Sequence, residues 1–185
     1  ADMDLSEEKE LVERARRDPE AFGKLYDQYY SQIFGYVLRR VANIEIAQDI
    51  TSEVFFKALK NLGQFKWHNI SLSSWLYRIA ANKIVDYFRK GKHKVVSLEE
   101  ISDLISDSNP STEVLQAEKE LERHEHFLIL HESIAKLPFK YQEVITLRYF
   151  ENRQIREIAQ ILGKREGTIK SWLHRGLEKL RRLME

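Results

Sequence analysis

The stretch EIAQILGKREGTIKSWLHRGLEKLRRL, from Glu157 to Leu183, decides the fold. Ile155, Ile158, Ala159 and Leu162 recur at i, i+3, i+4 and i+7, the period of one helix face, and Gly163 breaks the run. A second helix is expected from Thr168, with Ile169, Trp172, Leu173, Leu177 and Leu180 turned inward. Helix, glycine turn and helix make a helix-turn-helix. Lys170, Ser171, His174 and Arg175 fall opposite the apolar stripe, near the start of the second helix, where such a helix enters a major groove. With Thr168 they are the candidate readers of duplex DNA. Residues 164–182 hold seven Lys or Arg and two Glu, which adds a sequence-independent attraction to phosphates. The plainer alternative is a solvated basic helix.

Upstream of this motif, Leu137-Pro138 precedes a helix with Val144, Ile145 and Leu147 on its apolar face, which is expected to stop near Glu151-Asn152. Farther back the composition changes. Residues 1–94 carry 16 basic and 13 acidic side chains, residues 95–126 carry 2 and 9, and residues 127–185 carry 12 and 7. The acidic stretch runs through Asp-Ser-Asn-Pro-Ser-Thr, a linker composition, so the chain divides into modules at 5–94 and 127–185 joined by a linker at 95–126. Two readings of the linker stand: an ordinary solvated tether, or an acidic strand suited to a positively charged channel of a partner.

The N-terminal module also reads as helices. Asp18-Pro19-Glu20 opens one that carries Phe22, Leu25, Tyr26, Tyr29, Ile33 and Tyr36 at helical spacing. A second shows Ala47, Ile50, Val54, Ala58 and Leu62 on one face, with Asp49, Glu53 and Lys57 four apart on another. A third is expected to start with Ser73 or Ser74 as N-cap, to pack Leu76, Ile79, Ala80, Ile84, Tyr87 and Phe88, and to present Arg78, Asn82 and Arg89 on a polar face. Between the last two lies the loop GQFKWHNISL, which carries Lys66 and Trp67.

Three prolines, seven glycines and abundant helix formers complete the case for an all-α protein. The absence of cysteine excludes disulfides, thiolate zinc sites and a cysteine nucleophile. No apolar run approaches a membrane span and the first residues are acidic rather than signal-like, so a cytoplasmic protein without membrane insertion is expected. His124, His126 and His131 raise a metal-site reading, but surrounding glutamates favour solvated histidines and no metal or other cofactor is expected.

Taken with LPFKYQEVITLRYFENRQI before it, the helix-turn-helix resembles region 4 of extracytoplasmic-function (ECF) sigma factors of the sigma-70 family. By itself it is also similar to LuxR-type regulators. The runs DPEAFGKLYDQYYSQIFGYVLRRV, AQDITSEVFFKALKNLGQF and SSWLYRIAANKIVDYFRK, in that order, resemble region 2 of the same sigma family and distinguish the two. The resemblance implies a non-enzymatic transcription initiation factor with core RNA polymerase and promoter DNA as partners, the latter as duplex -35 and single-stranded -10 elements. An anti-sigma factor is a further implied partner.

It also implies roles. Gln48, Asp49 and Glu53 match the polymerase-gripping helix, whereas Ser52 stands where members often have Gln. Lys66, Trp67, Arg78, Asn82 and Arg89 match the part that captures -10 DNA. Stacking aromatics, backbone-tracking cations and an amide are the groups that hold exposed bases. Trp67 serves equally well as a core residue. Asp49 and Glu53, one helical turn apart, admit two other readings: a carboxylate pair in a helical hydrolase, or a structural pairing of Glu53 with Lys57.

Overall fold

The computed structural model describes residues 4–67, 70–91 and 129–185, and among them there are helices and turns but no strand. Four helices build the N-terminal module: α1 (Leu5–Ala15), α2 (Pro19–Val41), α3 (Ile44–Asn61) and α4 (Leu72–Arg89). The C-terminal module contains α5 (Phe139–Ile145), a π-helical turn (Thr146–Phe150), α6 (Ile155–Leu162) and α7 (Glu166–Met184). The linker boundaries at 95–126, its acidic residues, His124 and His126 lie outside the described residues.

Local chemistry sets the helix ends. Asp18 caps α2 by accepting the Glu20 N–H at 3.0 Å, and Pro19, which has no N–H to satisfy, occupies the first turn. Ala42 ends α2 in the left-handed conformation, with φ 53°, and its N–H donates to the Leu38 carbonyl at 2.8 Å. The next residue, Asn43, caps α3 by accepting from the Ile46 N–H at 3.0 Å, so two residues suffice to reverse the chain. In α4 the cap is Ser71, which accepts from the Ser74 N–H at 3.2 Å, rather than Ser73 or Ser74 as the sequence suggests. Ser74 is instead wholly buried, a place a lone hydroxyl in a polar run does not advertise.

The apolar faces read from the sequence meet in one core. Leu25, Ile33 and Tyr36 of α2, Ala47, Ile50 and Val54 of α3, and Leu76, Ala80 and Ile84 of α4 are buried together. Helix α1, absent from the sequence reading, adds Leu11, Val12 and Ala15 to that core. In the C-terminal module Val144, Ile145 and Leu147 pack against Ile158, Ile161, Ile169 and Leu173. Gly176 permits this closeness, because a Cβ there would stand 3.1 Å from both Ile145 Cδ1 and Tyr141 Cβ. Helix α7 starts at Glu166, two residues before Thr168, and Leu177 is 37% exposed rather than inward.

Candidate nucleic-acid and polymerase interface

In the helix-turn-helix, Gly163 adopts φ 64° and the N–H of Lys164 returns to the Ala159 carbonyl at 3.0 Å, closing the end of α6. The Glu157 carboxylate accepts the Gln154 N–H at 3.2 Å at the other end. Ile169 and Leu173 anchor α7, so Lys170, His174 and Arg175 stand exposed on one outward face, with Thr168 and Ser171 half-buried at its edge. Lys164 and Arg165, at the turn itself, are exposed too and extend the cationic surface toward the start of α7. The sequence reading counts them in the phosphate-attracting charge of residues 164–182 but not among the base readers. Four cations and an imidazole without apolar cover suit base edges and phosphates.

On α3, Gln48, Asp49 and Glu53 are all exposed along one side of the helix. Glu53 pairs with Lys83 of α4 at 3.5 Å rather than with Lys57, an open-surface pair that contributes about 0–1 kcal/mol. Beside them Ser52, Phe56, Lys57 and Lys60 line a shallow groove, and Phe56 is 69% exposed. A large ring left in water next to a charged face marks a protein contact better than a catalytic pocket. Neither Phe55 nor Phe56 falls on the Ala47, Ile50, Val54 and Ala58 stripe by which this helix is read, and of the two only Phe55 is buried.

The loop before α4 is less open than its sequence suggests. Phe65 is buried, and Trp67 packs edge-on against it with ring centres 5.0 Å apart, while Lys9 of α1 stands 5.8 Å above the indole. Trp67 is therefore half-buried and partly committed to the core. Lys66, Asn82 and Arg89 are exposed, and Arg78 is half-buried. The Arg78 guanidinium donates from Nε at 3.1 Å and from Nη2 at 2.5 Å to the carbonyl of Gln160, in α6 of the other module.

That bond belongs to a larger contact between the modules. Glu151, directly after the π-helical turn, has a side chain only 5% exposed; it accepts from Arg39 Nη1 of α2 at 2.6 Å and from the Tyr77 hydroxyl of α4 at 2.7 Å. Arg153 donates to Ser73 Oγ at 3.3 Å and lies 5.2 Å over the Tyr77 ring. The guanidinium of Arg40 stacks 4.5 Å over Phe139, and Phe88 meets Phe139 edge-on at 5.5 Å. Burial and the Glu151 charge push the Tyr77 hydroxyl far above the usual phenol range, so it remains a donor. Burial also raises the Glu143 carboxyl, against the opposing fields of Arg40 and Lys164. None of these partners is visible to a helix-by-helix reading, since each faces an element far away in sequence.

Two family models match the chain: Sigma-70 region 2 over residues 25–94 and Sigma-70, region 4 over residues 127–180. It is similar to the ECF RNA polymerase sigma factor BldN of Streptomyces coelicolor, at 34% identity over all of this chain and 68% of that protein. To the ECF sigma factor SigW of Bacillus subtilis it is 32% identical over 97% of each chain. The chain belongs to the ECF sigma factors of the sigma-70 family. This sigma factor also shares its fold with RpoE of Bartonella quintana, solved in complex with the anti-sigma factor NepR, with a TM-score of 0.63 and 18% identity over 88% of this chain and 96% of that one. An ECF sigma factor is a transcription initiation factor, so the LuxR-type alternative for the helix-turn-helix falls away.

Among the described residues no group of three or more His, Asp or Glu is placed to hold a metal. His131 is half-buried rather than solvated, and burial lowers its affinity for a proton. No described helix is long and apolar enough to cross a membrane.

Proposed function

We propose that residues 5–94 dock this sigma factor on core RNA polymerase and read the single-stranded -10 element, and that residues 127–185 read the duplex -35 element. The stretch 95–126 tethers the two, and the protein works in the cytoplasm without catalysing a reaction of its own. The observation that carries this reading is the separation of faces within one chain: an exposed acidic side with Gln48, Asp49 and Glu53 on α3, and an exposed cationic side with Lys170, His174 and Arg175 on α7. The first opposes a basic surface of a protein partner and steers docking; the second opposes phosphates and the acceptor edges of bases.

Within this scheme Asn82, Lys66 and Arg89 are the accessible contacts to -10 DNA, Arg78 joins them when its bond to Gln160 is given up, and Trp67, half-buried against Phe65 with Lys9 over its ring, has only part of its surface to offer a base. Thr168 and Ser171 flank the recognition face as hydroxyl partners. An anti-sigma factor is a further partner, by analogy with the complex in which the Bartonella RpoE was solved. Run-off transcription from a genomic fragment library with core polymerase tests the proposal. Discrete new transcripts are expected only when this chain is added, and identical transcript sets with and without it would refute the proposal.

A further inference from the structure

We propose that α1 positions the loop that meets single-stranded DNA: Arg16 holds the loop backbone at Phe65, Lys9 holds the Trp67 ring, and together they aim the intervening Lys66 at the strand. The inference rests on the proposed -10 role of Lys66. None of the roles given above falls on α1, which lies ahead of the sigma-70 region 2 match that begins at residue 25. The helix is a firm support. Leu11, Val12 and Ala15 are buried in the core, and the Tyr29 hydroxyl of α2 donates to the Glu8 carboxylate. From this base two side chains reach the loop. Arg16 Nη2 donates to the Phe65 carbonyl at 2.7 Å, and the Phe65 N–H donates to the Leu62 carbonyl at 3.2 Å, so both backbone polar groups of that residue are held. The buried Phe65 ring stands 5.0 Å from both Trp67 and Trp75, and Lys9 Nζ stands 5.8 Å above the Trp67 ring.

The indole adds an independent observation. Trp67 Nε1 is buried without a hydrogen-bond partner, although a buried indole N–H usually finds one. The ring is therefore not seated by its own hydrogen bonding; its contacts with Phe65 and Lys9 hold it in place. With the residue before Lys66 tied to Arg16 and the residue after it held under Lys9, the backbone direction at Lys66 is fixed from both sides, and the Lys66 side chain is exposed. A loop posed in advance does not have to be ordered when the strand binds, which is the gain from preorganisation.

Because the chain has no cysteine, Lys66→Cys with Asp86→Cys places one spin label on the loop and one on an exposed position of α4. Pulsed dipolar distances are measured on the full chain with this pair alone, and again with Arg16→Ala and Lys9→Met together. Circular dichroism confirms that each variant remains helical. The parent is expected to show one narrow distance and the double variant a broad one, with Lys9→Arg in place of Lys9→Met narrowing it again. Strand binding is read with Lys66 in place, as the affinity of the holoenzyme for a promoter fragment recovered by run-off transcription and made as a fork with unpaired -10 bases. The double variant should bind this fork about tenfold more weakly if one loop in ten keeps the competent pose, since apparent affinity scales with the competent fraction. Its binding to core polymerase and to the -35 duplex should match the parent. A distance as narrow in the folded double variant as in the parent, an unchanged fork affinity, or an equal loss on core polymerase overturns the positioning role. Lys66→Ala is measured beside it: if that variant weakens the fork and the double variant does not, only the positioning role falls, whereas an unchanged fork affinity in Lys66→Ala removes the -10 reading of Lys66 as well.

Discussion

Helices α4 and α7 both carry candidate DNA-reading groups, yet they present them differently. On α7 the cations Lys170 and Arg175 stand in water over a face anchored by Ile169 and Leu173. On α4 Asn82 and Arg89 are exposed, but Arg78, on the same polar side, is bound to Gln160 of the other module. Polarity in a helical repeat therefore reports only that a side chain avoids its own module's core. Whether it meets solvent or a second module depends on elements distant in sequence.

The largest effect is expected where both partners of the comparison are bypassed, on α3. Asp49→Lys with Glu53→Lys reverses two exposed charges and gives up only the open-surface pair with Lys83, so the fold should persist while polymerase binding is lost by at least about a hundredfold. Co-precipitation with core polymerase, paired with circular dichroism, checks it; undiminished binding by the folded double variant removes the assignment of this face.

A smaller effect sharpens the reading of α7. Arg175→Ala should cost about 1–3 kcal/mol on a preferred -35 duplex and flatten discrimination at one or two base pairs. Lys179→Ala, a turn farther along and 5.7 Å over the Tyr141 ring, should weaken all duplexes alike and lower the salt slope by about one unit. Titrations of single-base variants at several salt concentrations separate the two kinds of loss. Uniform weakening by Arg175→Ala would make it a phosphate clamp.

The smallest effect concerns the buried side of the module contact. Burial raises the Glu143 carboxyl above its ordinary value of 4.5, so folding favours its protonated form. Its contribution is therefore complete below about 4.5 and is lost as pH rises through the higher folded value. Glu143→Gln should unfold at a higher temperature than the parent at pH 7, with the difference shrinking as pH falls toward 4.5. Melting curves across that range check the sign, and an equal difference at every pH would assign the effect to packing.

Much of this molecule was legible in its sequence because its helices bury faces at regular spacing. The core stripes of α2, α3 and α4 and the glycine turn before α7 follow from periodicity and capping alone. Three features did not. Helix α1 spends only Leu11, Val12 and Ala15 on the core, too short a stripe among charges to stand out. The caps at Ser71 and Arg165 displaced the expected starts of α4 and α7, since several polar residues compete at each site. Glu151 read as a helix stop, whereas its carboxylate is the most connected polar group between the modules.

The division of labour between α4 and α7 is tested most directly by Asn82→Ala, whose exposed side chain touches neither module core. Permanganate footprinting of the holoenzyme on a responsive promoter is measured beside a gel shift of the same variant on the -35 duplex. Strand opening at the -10 element should be impaired while -35 binding is unchanged; equal loss in both assays would contradict the assignment of the two elements to the two modules.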